Sequence, residues 1–213
     1  MLKSKNSRLT VLAGVLIVVS TAAVLLARQF TLGPTRPAPA WRALGPENAP
    51  LQIYEYTDFA CPACKHASEI LEEAIKVYGT KIRLSFKHYP LKNIHPWSMT
   101  AAAYADCAGE QGKFREYAAL LFAKQENWGL AKEKPKEFEA IALELKLDWP
   151  KMQACSEAPE TVQRVKLDMA EGDRKQVEAT PTFFVNGKRA VGGSQLLEQV
   201  RNFDNLLNKI EIR

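Results

Sequence analysis

The sequence predicts an α/β domain that is interrupted by a long block of helices. Patterns typical of a strand, a helix and a second strand lie between residues 51 and 89, and two strands and a last helix follow residue 181. A Cys-x-x-Cys pair, Cys61 and Cys64, falls where the first strand gives way to the first helix. This order predicts one α/β unit with a helical insertion and a thiol pair at its centre.

Length and composition fit one domain with some additional sequence. The chain has 213 residues, of which 46% are hydrophobic and 25% charged, so it can bury a core without cross-links. The net charge of +5 comes from the N-terminal segment, because six basic residues precede the first acidic residue, Glu47. The rest of the chain holds 23 basic and 24 acidic residues and has no basic–aromatic stripe. We therefore expect no nucleic-acid partner.

The first element is an apolar N-terminal segment. An uncharged run of 19 residues extends from Leu9 to Ala27, and a helix of that length spans roughly 28 Å, close to the hydrocarbon thickness of a bilayer. Basic residues precede the run, which predicts a cytoplasmic N-terminus and an exported domain. We predict an uncleaved signal anchor, a single transmembrane helix within residues 1–28. Cleavage after the small residues 21–23, which would give a secreted protein, is the alternative.

Residues 29–50 contain five prolines and two glycines. Proline breaks helices and favours extended chain, so this stretch predicts a linker that holds the domain, residues 51–213, away from the cytoplasmic membrane. On the periplasmic or extracytoplasmic side, cysteine pairs can remain oxidised.

The elements of the domain follow from hydrophobic spacing. Residues 51–56 predict a strand, a helix begins at the cysteine pair and stops near Gly79, and residues 81–89 predict a second strand. From about residue 92 to residue 176 helical spacing prevails. Two short strands, Thr182–Val185 and Lys188–Val191, flank an Asn-Gly turn, which accepts the positive φ angles of a tight hairpin. A last amphipathic helix follows.

The Cys-x-x-Cys pair is the candidate catalytic centre. A thiol at a helix N-terminus meets unpaired backbone N–H groups and the positive end of the helix dipole, both of which favour the thiolate. We expect Cys61 to be exposed and to attack, and Cys64, one turn further in, to be buried and to resolve mixed disulfides. The alternatives are that the pair forms a structural disulfide or supplies half of the ligands of a zinc site. The remaining cysteines and histidines lack zinc-ligand spacing, so we predict no metal and no other cofactor.

These motifs together resemble the DsbA-like branch of the thioredoxin superfamily. The run from Pro50 to Cys64 is similar to the family's leading strand and active site, and the run from Thr180 to Gly187 looks like its cis-proline strand and hairpin. Residues 88–91 and 107–114 resemble parts of its helical insertion. The resemblance covers residues 45–210 and implies a thioredoxin fold with an inserted all-helical subdomain.

The resemblance also implies roles by position. Pro181 would follow a cis peptide bond and face the cysteines, and the backbone of Thr180 would pair with an extended substrate. Pro62 and Ala63 would contribute to the same substrate-binding surface. Because the best-known oxidase of the family has histidine in place of Ala63, we expect a milder thiolate pKa and a less oxidising potential here.

Several polar residues near the pair have two interpretations. Glu55, six residues before Cys61, would be a buried acid that accepts the proton of Cys64, and an exposed strand glutamate is the alternative. Asp58 is interpreted as a cap preceding the helix, His66 as a solvated helix residue, and His95 as a residue at the start of a helix.

Cys107 and Cys155 both fall within the helical insertion. An exported protein rarely leaves two thiols free beside a reactive disulfide, so we predict a structural Cys107–Cys155 disulfide. Two buried, unpaired cysteines are the alternative.

The predicted function is that of an extracytoplasmic thiol–disulfide oxidoreductase, a protein-disulfide oxidoreductase that introduces disulfides into unfolded or partly folded exported proteins. A quinone-linked membrane reoxidase, DsbB-like or VKOR-like, would regenerate it. Because Thr180 precedes the proline, a reductase or isomerase kept reduced by a membrane electron donor is the first alternative. Isomerases of the superfamily often dimerise through an added N-terminal domain, whereas an anchor and a linker predict a monomer. A tethered binding module or chaperone, with the cysteine pair as a clip, is the second alternative.

Overall fold

The computed structural model of the chain describes residues 12–23 and 35–211. The chain divides into two compact units, Met1–Arg36 and Pro37–Arg213. The first contains a helix over residues 12–23 whose side chains are exposed. Among the described residues no helix combines the length and the hydropathy needed to cross a bilayer. Residues 1–11 and 24–28 of the predicted anchor lie outside the described residues, and the anchor stays a prediction.

The second unit is built on a five-stranded mixed sheet with the strand order β1-β3-β2-β4-β5. The two central strands, β2 and β3, are parallel, and every other neighbouring pair is antiparallel. The strands are β1 Ala43–Leu44, β2 Leu51–Thr57, β3 Ile82–His88, β4 Thr182–Val185 and β5 Lys188–Val191.

Nine helices of this unit connect and cover the strands within the described residues 37–211. Helix α1 links β2 to β3 and six helices lie between β3 and β4, which agrees with the predicted helix and helical block. Two helices follow β5, where the sequence predicts one, because the first of them has its C-cap at Asn202. They are α1 Pro62–Tyr78, α2 Ser98–Glu110, α3 Phe114–Ala123, α4 Gln125–Trp128, α5 Glu137–Glu144, α6 Trp149–Glu157, α7 Pro159–Arg174, α8 Gly192–Arg201 and α9 Phe203–Glu211.

Two apolar clusters meet at the start of α1. One packs α1 and the C-terminal helices against the sheet and includes Leu51, Leu71 and Phe183. The other joins the helical insertion to the loop that follows β2 and contains Phe59 and Trp128. The ring centroids of Phe59 and its neighbours Phe86 and Phe122 lie 5.1–5.3 Å apart. The cysteine pair therefore lies where sheet and insertion meet.

The domain begins earlier than the predicted linker allows. Residues 40–42 form a 3₁₀ turn, and β1 pairs with β3 at the edge of the sheet. Trp41 packs on α2 so closely that a Cβ at Gly109 would lie 2.2 Å from its Cδ1 atom. The prediction of a linker over residues 29–50 is wrong for the part from residue 40 onward, because a proline-rich extended chain can also supply an edge strand.

A buried ionic cluster fixes this edge segment to the rest of the domain. The Arg42 guanidinium binds the carboxylates of Asp106 in α2 and Asp168 in α7, and all three side chains are inaccessible to solvent. Lys87 of β3 lies 3.5 Å from Asp168, and His88 Nε2 lies 3.2 Å from Asp106 Oδ1. The cluster thereby connects the edge segment, the central sheet and the helical insertion.

The helical insertion contains the Cys107–Cys155 disulfide expected from the sequence. It joins α2 to α6 across 48 positions, with a Cα–Cα distance of 5.8 Å. Cys61 and Cys64 are present as free thiols, so the structure describes the reduced form of the centre.

Candidate active site

The cysteine pair is placed by the junction of β2 with α1. Cys61 has extended backbone angles at the N-cap of α1, and Pro62 occupies the first helical turn, where its missing N–H costs no hydrogen bond. Pro62 and Ala63 are exposed beside it. Cys64 is completely buried, as expected. Cys61 is only 8% exposed, so the prediction of an exposed Cys61 is wrong. Residues of the insertion pack over it.

The surroundings of the two thiols move their pKa values in opposite directions. A hydrogen bond from the Cys64 thiol is the main cause that lowers the pKa of Cys61 to about 6, and the Thr180 hydroxyl and the backbone N–H groups of Ala63 and Cys64 act in the same direction. Burial, together with the neighbouring Cys61, raises the pKa of Cys64 well above its ordinary value of 9.0. Near neutral pH the reduced pair therefore holds one thiolate, on Cys61, and one thiol, on Cys64.

The loop before β4 faces this thiolate. The Thr180–Pro181 peptide bond is cis, and the Thr180 carbonyl oxygen lies 3.5 Å from Cys61 Sγ, where it accepts a hydrogen bond when Cys61 carries its proton. The structure thus brings Thr180 and Pro181 to the positions that the resemblance implies. Their roles toward a substrate remain predictions.

Glu55 is buried within β2. Its side chain is 1% exposed, and its Oε1 atom has no hydrogen-bond partner in the described part of the chain. Burial raises the pKa of Glu55 to about 8, while the Thr57 hydroxyl acts in the opposite direction. The carboxyl group lines a cavity of about 640 Å³ between α1 and α3. The interpretation as an exposed strand glutamate is therefore wrong.

Thr57 is a site residue that the sequence reasoning missed. It lies two positions after Glu55, on the same face of β2, and it is equally buried. Its hydroxyl lowers the pKa of both Glu55 and Cys64, although its Oγ1 atom makes no hydrogen bond within the described part of the chain. Strand alternation was the signal that could have identified it.

Asp58 organises the loop and caps no helix, so its interpretation as a helix cap is wrong. Its Oδ1 atom accepts a hydrogen bond from the Ala60 N–H at 2.8 Å, and its Oδ2 atom accepts one from the Leu91 N–H at 2.8 Å. Oδ2 also lies 2.8 Å from His95 Nδ1, so His95 holds the loop. The Asp58 N–H donates to Cys64 Sγ at 3.4 Å.

Gln125, from the helical insertion, is a second residue that sequence reasoning missed. Its Nε2 group donates to the carbonyl oxygens of Phe59 at 2.6 Å and Cys61 at 3.0 Å. By contrast, His66 is exposed and lies 3.4 Å from Glu69, as expected of a solvated helix residue. Within residues 12–23 and 35–211 no group of three or more His, Cys, Asp or Glu side chains could hold a metal ion.

Comparison with known proteins places this geometry among related folds. The Thioredoxin_4 family model, described as thioredoxin, matches residues 38–204. The fold is similar to that of α-DsbA1 from Wolbachia pipientis, with a TM-score of 0.70 and 21% identity over 83% of this chain and 96% of that one. It is also similar to BdbD from Bacillus subtilis, with a TM-score of 0.65 and 21% identity over 76% and 91% of the two chains.

The sequence is also similar to part of larger proteins. It is 36% identical over 148 residues to a protein named Na(+)/H(+) antiporter NhaA 3 from Salinispora tropica. The match covers 70% of this chain and 22% of the antiporter. The chain thus spans about a fifth of the length of the curated relatives it matches.

Proposed function

Because this chain belongs to the DsbA-like thioredoxin family of protein-disulfide oxidoreductases, we propose that it introduces disulfides into exported proteins through Cys61 and Cys64. The observation that carries the proposal is the position of Cys61 at the N-terminus of α1, with the Thr180 carbonyl 3.5 Å away and Cys64 buried behind it. This arrangement offers one reactive sulfur and one protected sulfur.

The proposed reaction starts from the oxidised Cys61–Cys64 pair. A client thiolate attacks Cys61 Sγ, which forms a mixed disulfide and releases Cys64 as a thiolate. A second client thiolate then attacks the client sulfur of that bond and releases Cys61. The client loses two electrons and gains a disulfide, and the enzyme is left as the dithiol. A low pKa makes Cys61 the better leaving group in the second step.

Glu55 and Thr57 support the first step. At pH 7 Glu55 is mostly protonated, because burial raises its pKa to about 8. The thiol form of Cys64 is strongly favoured, so the leaving thiolate takes up a proton. We assign Glu55 as the donor of that proton, and the Thr57 hydroxyl, which lowers the pKa of both groups, as the group that passes it on. In the reverse direction Glu55 accepts it.

The direction of exchange follows from thiolate stability. A group that stabilises the Cys61 thiolate stabilises the reduced enzyme, and this makes the disulfide more oxidising. A pKa of about 6 favours disulfide donation, although less strongly than in the most acidic members of this enzyme class. The milder pKa fits the replacement of a polar residue by Ala63.

Location and partners complete the proposal. The uncharged run from Leu9 to Ala27 supports a membrane anchor with the domain on the periplasmic side. Relatives named as Na(+)/H(+) antiporters contain a segment similar to this chain, which is compatible with function at a membrane. A quinone-linked reoxidase, DsbB-like or VKOR-like, would accept electrons from the reduced pair, and unfolded exported proteins would be the clients.

A glutathione titration of the Cys61–Cys64 pair tests the direction. A potential more oxidising than that of a stable structural disulfide, with oxidation of a reduced, unfolded client protein, is the expected result. A potential below about −300 mV with no exchange would instead support a structural clip in a binding module. A pair that stays reduced in the cell and reduces client disulfides would support the alternative of a reductase or isomerase.

A further inference from the structure

Gln125 connects the helical insertion to the reactive loop. Its side chain is buried, and its single amide nitrogen donates to two carbonyl oxygens, those of Phe59 and Cys61. These two carbonyl groups flank Ala60. Gln125 lies 64 positions from Cys61 in sequence, and its side chain thus attaches the loop before α1 to the helical insertion.

The element that carries Gln125 is itself firmly packed. Helix α4 ends at Trp128, which is completely buried, donates from Nε1 to the Leu121 carbonyl at 2.9 Å and contacts Phe138 with ring centroids 5.3 Å apart. The amide of Gln125 is therefore presented to the loop by the core of the insertion.

A neutral amide suits this position chemically. Carbonyl oxygens carry partial negative charge, and a donor directed at the Cys61 carbonyl offsets that charge next to the thiolate of the same residue. The amide also keeps the loop where the backbone N–H groups of Ala63 and Cys64 face the sulfur. Methionine would fill the same volume without a donor, and glutamate would place a carboxylate against two carbonyl oxygens.

We propose that Gln125 is a positioning residue through which the helical insertion controls the reactivity of Cys61. The hydrogen bonds to the Phe59 and Cys61 carbonyls hold the sulfur at the N-terminus of α1. This inference rests on the proposed function, since it assigns a determinant of the same thiol centre. It assigns the insertion a part in the chemistry, in addition to its part in the fold.

The test compares Gln125→Met and Gln125→Glu in the full-length protein. After reduction, site-specific alkylation of Cys61 by iodoacetamide is followed against pH by mass spectrometry. We expect the alkylation midpoint to rise by about half a pH unit in the methionine variant and by about one unit in the glutamate variant. The redox potential in a glutathione buffer should become more reducing in the same order.

Gln111 provides the matched control. It lies in the same insertion, and its side chain also forms hydrogen bonds with backbone groups, at 2.9 and 3.3 Å. Both bonds go to Asp148 and neither goes to the loop that carries Cys61, and Gln111 is more exposed than Gln125. Gln111→Met and Gln111→Glu should leave the Cys61 midpoint unchanged. A general loss of stability would lower the unfolding temperature of both sets without moving the midpoint.

Each outcome decides the inference. Gln125 variants that fold less stably but keep the wild-type midpoint and potential would overturn it. If Gln125→Met does not fold, the isosteric Gln125→Glu decides, with a raised midpoint as support and an unchanged one as refutation. An ordinary thiol midpoint in the wild-type protein, with no exchange, would overturn the proposed function instead. A low wild-type midpoint that no Gln125 variant moves would overturn only this inference.

Discussion

The carbonyl oxygen of Thr180 lies 3.5 Å from the sulfur of Cys61, although 119 positions separate the two residues. The helical insertion lies between them in sequence, yet the fold brings both to one end of the sheet. A backbone acceptor thus stands beside the sulfur that a client thiol would attack. An extended client strand could pair with the backbone at this loop while its cysteine reaches Cys61.

The first prediction concerns the acidity of Cys61. In the reduced wild-type protein, alkylation of Cys61 should reach half its maximal rate near pH 6. Replacing Cys64 by Ala removes the hydrogen bond that is the main cause of the low pKa, so the midpoint should rise by about one unit or more. Rate measurements between pH 4 and 9 check this. An identical midpoint in both proteins would show that the thiol of Cys64 does not stabilise the thiolate.

The second prediction concerns Glu55 and stability. Its folded pKa of about 8 lies above its ordinary value of 4.5, so the folded protein keeps a proton that the unfolded chain releases between these pH values. Wild-type stability should therefore fall as pH rises through this window, and Glu55→Gln should remove the loss. The variant should gain stability relative to wild type, up to about 3 kcal/mol at pH 7. Urea unfolding at several pH values measures the difference.

Glu198→Gln is the control for Glu55→Gln, because Glu198 is an exposed glutamate of helix α8. Glu198→Gln should change the free energy of unfolding by no more than about 0.5 kcal/mol. A stability difference between Glu55→Gln and wild type that is flat between pH 4.5 and 8 would contradict a raised pKa for Glu55.

The third prediction concerns the Cys107–Cys155 disulfide. It closes a loop of 48 positions, so Cys107→Ala with Cys155→Ala should lower the free energy of unfolding by roughly 3–4 kcal/mol in the chain-entropy model. The alkylation midpoint of Cys61 should stay the same, because neither cysteine of the bridge is among the groups that lower the pKa of Cys61. Unchanged stability would mean that the bridge does not restrict the unfolded chain as proposed.

The fourth prediction concerns Arg42. Arg42→Met leaves the buried carboxylates of Asp106 and Asp168 without this guanidinium, which should cost about 3–5 kcal/mol of unfolding free energy. Arg201→Met, at an exposed helix end, should change stability by no more than about 0.5 kcal/mol. Urea unfolding of both variants checks this. Equal effects would indicate that residues 40–44 behave as a detached linker.

Local patterns in the sequence were enough to predict most of the fold. The strand–helix junction at Cys61, the helical block and the hairpin at Asn186–Gly187, where both residues have positive φ, depend on contacts between near neighbours. The position of Pro181 and the Cys107–Cys155 pairing were also expected. The first of these was implied by the family resemblance, and the second followed from the expectation that an exported protein keeps its remaining cysteines paired.

The partners of buried polar groups could not be predicted in this way. Arg42 binds carboxylates 64 and 126 positions away, and Gln125 binds a carbonyl 64 positions away. Nothing in the local spacing of a lone arginine or glutamine distinguishes a solvated side chain from a buried one. Glu55 posed the same problem, because a strand pattern does not reveal whether one or both faces of the sheet are covered.

The central claim is that Cys61 exchanges disulfides with client proteins, and mixed-disulfide trapping tests it most directly. Full-length Cys64→Ala, expressed in the native membrane and treated with acid and alkylating agent, should give client complexes that migrate as larger species and dissociate on reduction. The same preparation of a Cys61→Ala, Cys64→Ala double variant should give none. If the two preparations show the same species, or no species, while Cys61 is accessible to alkylation, Cys61 does not exchange disulfides with clients and the account is contradicted.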